Sequence, residues 1–438
     1  MRMFEVRQSW ISIEGGEPEF HHTMAQLEIF VNGCNLTRNE NIWSQSVHDS
    51  VIVSTYPLAL WILQSWWRLL YEPLPPHGTP VNDWRMAHEL GAANYGFVWP
   101  KIIFVSDSKN IQIWAIPSDG GSQQSVRYLN GLNPPASISI PEFRDSILDF
   151  LSTTNNRLNS LRFPHSDLSE LLKIILDEQR DEASSTYRKL EAVMGFDPDE
   201  CPSSTMNYAL QLRQNYGEET LMELAPVYGK AALKPIEQFI SAEGVFGKPS
   251  FTIWHEAKQI KSVLAPWKMA VKDAQRIRKQ VGNENGLIKT EVLFDLLGVA
   301  SEDVRKWEPT NRASVSVGIP MNSHQQIKFV PRKRHPISKR FELSRYIGDY
   351  LYAGKNLWLT NTDLGTARQR YQRAFAAEFL CPIDGLIEFL QNDFSDEAID
   401  DAADYFDVSQ QMITSLLANN HVIEKIPQDE IPYEIGFR

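Results

Sequence analysis

The chain has 438 residues, 42% of them hydrophobic and 22% charged, with a formal net charge of −12. Such a length exceeds what one core usually supports, so two or three domains are expected. The acidic balance disfavours non-specific nucleic-acid binding, and no run approaches the about 18 apolar residues of a membrane span. Met1-Arg2-Met3-Phe4-Glu5 leads into no apolar signal-peptide core, so a cytoplasmic protein is expected. Cys34, Cys201 and Cys381 are few and far apart, which argues against a disulfide framework or a cysteine-rich zinc site.

The first 133 residues read as a mixed α/β domain. Strand character is found at Phe4–Ile13, Met24–Val31, Ser50–Ser54, Lys101–Ser106, Asn110–Ile116 and Ser125–Leu129. Tyr56–Glu72 reads as a helix carrying Trp61, Trp66 and Trp67. Eight of the 12 tryptophans lie in the first 114 residues, and at helical spacing an aromatic core is favoured over a ligand cage. Glu14-Gly15-Gly16-Glu17 and Asp119-Gly120-Gly121 lack the lysine and helix that a phosphate loop requires. His88-Glu89-Leu90-Gly91-Ala92 lacks a second histidine at i+4 and reads as structural, and His21-His22 would face opposite sides of a strand. Gly131-Leu132-Asn133-Pro134-Pro135 reads as an exit linker.

Residues 134–262 read as a helical domain, with helices at Pro141–Leu158, Asp167–Met194, Ser203–Tyr216, Glu218–Tyr228 and Pro235–Glu243. Glu218, Glu219 and Glu223 are expected on a solvated acidic face. His255-Glu256 has Gln259 at i+4 of the histidine, a poor zinc ligand.

From 263 to 438 the pattern continues with helices at Pro266–Gln280 and Leu287–Leu297 and strands at Ala313–Ile319 and Gln326–Val330. A basic patch follows: Arg332, Lys333, Arg334, Lys339 and Arg340, read as a solvated loop in preference to a phosphate grip. Two strings stand out next, Arg340-Phe341-Glu342-Leu343-Ser344-Arg345-Tyr346-Ile347-Gly348-Asp349 and Ala374-Phe375-Ala376-Ala377-Glu378-Phe379-Leu380-Cys381-Pro382. They resemble the ImmA/IrrE family of intracellular metallopeptidases, whose pattern runs R-F-x-L-A-H-E-L-G-H and then E-x-x-A-N-x-F-A-A-E-L-L-M-P. With the helix-turn-helix-like ending, the resemblance covers about residues 263–425.

The frame matches while the zinc chemistry does not. In H-E-x-x-H, histidines at i and i+4 reach one Zn²⁺ and the glutamate serves as general base. Arg345 and Asp349 stand at the histidine positions and Tyr346 at the glutamate. A guanidinium offers no lone pair, and a phenol with a pKa near 10 accepts no proton at neutral pH. The run Thr366–Arg373, where a third ligand is due, contains no carboxylate. Asp349 is expected to pair with Arg345 one turn earlier.

The expected protein is multidomain α+β: an N-terminal α/β domain and a helical middle read from the residues, and a zincin-like, mostly helical domain with a small sheet implied by the resemblance. The resemblance, with its zinc ligands replaced, implies a pseudoenzyme without metal or cofactor. Arg345, Tyr346, Asp349, Arg368, Arg370, Tyr371 and Arg373 would line the former groove, favouring an anionic ligand or an acidic segment of a partner protein. Nucleic acid is disfavoured because the tail carries Asp396, Glu397, Asp400, Asp401, Asp404 and Asp407. Two alternatives stay open. One is an active zinc endopeptidase with a displaced site drawing on His88, Glu89, His255 or Asp349; the other is a non-catalytic subunit of a larger complex, docked through the tryptophan-rich domain.

Overall fold

The computed structural model describes residues 2–424 apart from 14, 77–79, 119–123, 162–165, 232, 252–264, 310–312 and 322–325. The fold is mixed helix and strand with small antiparallel sheets. Contacts divide the chain between Asn207 and Tyr208 into two compact units.

In the first unit, Met24–Val31 pairs antiparallel with Phe4–Trp10 and with Val51–Ser54. Its alternation is what a half-buried strand requires: Ala25, Leu27, Ile29 and Val31 are buried while Gln26 is exposed. The Lys101–Ser106 and Asn110–Ile116 hairpin carries Ala136–Ser139 on its far side. The expected helix over 56–72 is two helices, Thr55–Gln64 and Trp66–Tyr71, broken at Ser65, and the first is capped by the Ser54 hydroxyl. Likewise 167–194 is divided at Asp181, whose side chain caps Glu182–Val193.

Trp61, Trp66 and Trp67 are buried in one apolar cluster with Phe4, Phe104, Phe143, Ile147, Leu151 and Leu172. Helices Ile140–Ser160 and Asp167–Arg180 thus share the tryptophan core, and the division expected at 133/134 falls inside it. The Gly131–Pro135 segment is packed in place. Leu132 N–H donates to Ala115 O at 2.9 Å, and a Cβ on Gly131 would lie 2.8 Å from that same carbonyl. This glycine serves close backbone approach rather than linker flexibility.

In the second unit, the helices Glu218–Tyr228 and Pro235–Ser241 precede a four-stranded antiparallel sheet. Its order is Val245–Gly247, Ile327–Val330, Ser316–Pro320, Leu359–Asn361. The first and last of these strands, three residues each, have no periodicity to read in the sequence. Helices Pro266–Gln280, Thr290–Leu297, Pro336–Ala353 and Ala367–Leu380 contribute to the second core with Ile327, Phe329 and Leu359. The helix pair Asp396–Phe406 and Gln410–Asn419 turns at Asp407, in the left-handed region at φ 52°. Among the described residues no helix is long and apolar enough to cross a membrane.

Candidate functional site

The two motif helices pack face to face. Gly348 makes this possible, since a Cβ there would sit 2.9 Å from the Phe375 ring. The helix Pro336–Ala353 is buried from Glu342 to Tyr350, so its polar residues Arg345 and Asp349 face protein rather than an open groove. Thr366 caps the second helix by accepting Gln369 N–H at 3.2 Å. That helix presents Arg368, Gln369 and Gln372, all buried, to the same place.

Between the two helices in sequence lies the edge strand Leu359–Asn361, paired on one side with Ser316–Pro320 through Val317↔Thr360. On an edge, alternate residues present unpaired N–H and C=O groups. Here Thr360 and Thr362 present them, and side chains satisfy all four. Thr360 N–H donates to Asp349 Oδ2 at 2.7 Å. Thr360 O accepts Gln369 Nε2 at 2.8 Å and Gln372 Nε2 at 2.9 Å. Thr362 N–H donates to Gln369 Oε1 at 2.9 Å, and Thr362 O accepts Arg345 Nη2 at 2.8 Å. The Gln369 amide therefore donates and accepts as a neighbouring backbone would. An extended peptide pairing with this edge would find the backbone groups of Thr360 and Thr362 already taken.

The charges are arranged differently from the i,i+4 expectation. Asp349 is held by Arg368, with Nε to Oδ1 at 2.7 Å and Nη2 to Oδ2 at 2.8 Å. Among the described residues Arg345 bonds oxygens of amides and carbonyls alone: Thr362 O, Gln369 Oε1 and Gln372 Oε1. Burial, with Arg373 and Arg332 nearby, pushes the Arg345 guanidinium down to about 9. Tyr346 is fully buried with its hydroxyl 3.2 Å from Val317 O, and burial raises its pKa well above the ordinary value. It cannot act as a base at neutral pH. Tyr371 donates to Asp273 Oδ2 at 2.6 Å.

A further participant comes from outside the motif helices. Glu223, on Glu218–Tyr228, is buried, in contrast to the solvated face expected for it. Its Oε2 accepts Thr366 Oγ1 at 2.8 Å and Gln369 Nε2 at 2.9 Å. Burial raises its pKa, opposed by the Arg368 charge. Glu223, Gln369 and Gln372 escape sequence reasoning tuned to metal ligands; the readable signal is Gln369-x-x-Gln372, two amides on one helix face.

This donor set does not fit a metal. Both carboxylates are committed to hydrogen bonds, and two guanidiniums occupy the surroundings. Among the described residues, no three His, Cys, Asp or Glu side chains are grouped to hold an ion. His88, in the first unit, is buried and stacked on Trp84 at 4.0 Å; its ring nitrogens face Phe104 O and Glu72 Oε2. Glu89 is bound to Arg85, and His255-Glu256 lies outside the described residues.

The basic patch is largely tied inward. Arg340, buried, reaches Ile288 O at 2.8 Å, Thr290 Oγ1 at 2.6 Å and Asp407 Oδ2 at 3.0 Å. Arg334 donates to Pro309 O at 3.0 Å and Lys339 to Trp307 O at 2.8 Å. Arg332 pairs with Asp363 at 2.6 Å, and the Lys333 N–H donates to Glu342 Oε2 at 3.3 Å. Arg370 is partly exposed, whereas the tail acids Asp396, Glu397, Asp400, Asp401 and Asp404 are exposed.

Comparison with known proteins finds no matching family model, no matching curated protein and no matching solved structure.

Proposed function

We propose that this protein is a cytoplasmic binding or regulatory protein built on an ImmA/IrrE-like peptidase frame that no longer hydrolyses. One observation carries the reading: the Arg345, Asp349, Gln369 and Gln372 side chains each direct a hydrogen bond to the edge strand at Thr360 or Thr362. Peptide hydrolysis on such a frame needs a Lewis acid, a base and a strand edge to align substrate. In their place stand a guanidinium, a phenol and a saturated edge. A buried hydrogen-bond network of this kind, holding its side chains in place, suits recognition of a protein partner or an anionic ligand. The family resemblance supplies the setting, prokaryotic stress response or defence against phage and mobile elements.

Zinc content and proteolysis test the reading. Purified protein is expected to carry far less than one zinc per chain and to leave a fluorescent casein substrate intact. Stoichiometric zinc with chelator-sensitive cleavage would overturn it.

A further inference from the structure

Three guanidiniums from three parts of the chain close on one short turn. Arg345 donates Nη2 to Thr362 O at 2.8 Å, Arg332 donates Nη2 to Asp363 Oδ1 at 2.6 Å, and Arg373 donates Nη2 to Leu364 O at 2.8 Å. The carboxylates nearby are already engaged. Asp363 is taken by Arg332, Glu342 accepts the backbone N–H groups of Arg332 and Lys333, and Glu223 accepts Thr366 and Gln369.

Among the described residues Arg345, 5% exposed, has no ion pair with a carboxylate, and its Nε–H has no partner. The Arg332 Nε–H, also buried, has none either. A buried donor without an acceptor is destabilising, the more so when it carries charge, so two in one cationic cluster call for an acceptor. The Asp363 side chain, 32% exposed, and the partly exposed Arg373 bring the cluster to the surface.

We infer that Arg332, Arg345 and Arg373 form a binding site for a small oxyanion, a phosphate or a carboxylate group, received by the unspent Nε–H donors of Arg345 and Arg332. The inference rests on the reading of this frame as one that binds without cutting. Arg368 is not part of the site, because Asp349 neutralises it. Guanidinium planes suit both oxyanions through paired N–H donors.

Calorimetric titration of the full chain with inorganic phosphate, and separately with a hexa-aspartate peptide, at constant ionic strength, tests the site. Saturable binding of at least one probe is expected, weakened about tenfold in Arg373→Gln, where one of the three positive charges of the site is lost. Phosphate alone would identify a free anion; the peptide alone, or more tightly, would identify an acidic segment of a partner. Arg373 is partly exposed, so its variant is expected to fold, which circular dichroism checks; Arg345→Gln is the second variant. Absence of saturable binding to either probe, or unchanged affinity in folded Arg373→Gln, overturns the assignment. Zinc-dependent cleavage would overturn the non-hydrolytic reading through a different readout.

Discussion

Asp349 and Arg368, 19 residues apart on facing helices, form a two-pronged ion pair at 2.7 and 2.8 Å with both side chains buried. The same carboxylate takes the Thr360 amide, so the pair joins the two motif helices to the sheet edge. Removing one partner of such a pair costs about 3–5 kcal/mol, because the survivor is left buried and uncompensated. Asp349→Ala and Arg368→Ala should each lower urea-unfolding stability by about that amount. The double variant should cost less than the sum; strict additivity would refute the coupling.

Gln369→Ala would strip Thr360 O of one donor and leave Thr362 N–H without an acceptor. Each buried group so exposed costs about 1–3 kcal/mol. Hydrogen exchange reads this locally. In the wild type the amides of Thr360 and Thr362 should exchange slowly despite their edge position, and in the variant Thr362 should exchange much faster.

Gly348→Ala places a methyl 2.9 Å from the Phe375 ring. Forcing apart a packed helix pair typically costs about 1–3 kcal/mol, although alanine is the better helix former. A lowered melting temperature is expected, and unchanged or raised stability would mean that the helices separate freely.

Glu223 titrates with a raised folded pKa, chiefly because it is buried. Its contribution to stability is therefore complete below its ordinary value of 4.5 and is lost as pH rises through the raised folded value. Relative to Glu223→Gln, the wild type should lose stability as pH climbs from about 4.5. Stability curves that stay parallel across pH would show that Glu223 is not desolvated in the fold.

In the second unit Pro266–Gln280 was legible to its bounds, because a proline marks its first turn, whereas the short helices Ser301–Lys306 and Ile383–Leu390 were not read from the sequence. The strands at 316–320 and 327–330 were legible within three residues. The strand Leu359–Asn361 was not, since three residues define no alternation, and it is the element that gives the site its meaning. The Asp349 partner was misread because the i,i+4 rule sees one helix at a time, while Arg368 reaches the carboxylate from the facing one. Glu223 was misread for a related reason. It sits 146 residues before Gln369, and only burial against the second unit's sheet and helices distinguishes it from a surface acid.

The chain's own residue types settled that guanidinium and phenol, not imidazole and carboxylate, stand at the motif positions, since side-chain identity alone decides which atoms own lone pairs. Which oxygen each guanidinium meets, and which donors are left unspent, was decided only by folding. Hydrogen bonds and ion pairs act over a few ångströms in space, and those neighbours come from segments that the linear order keeps far apart.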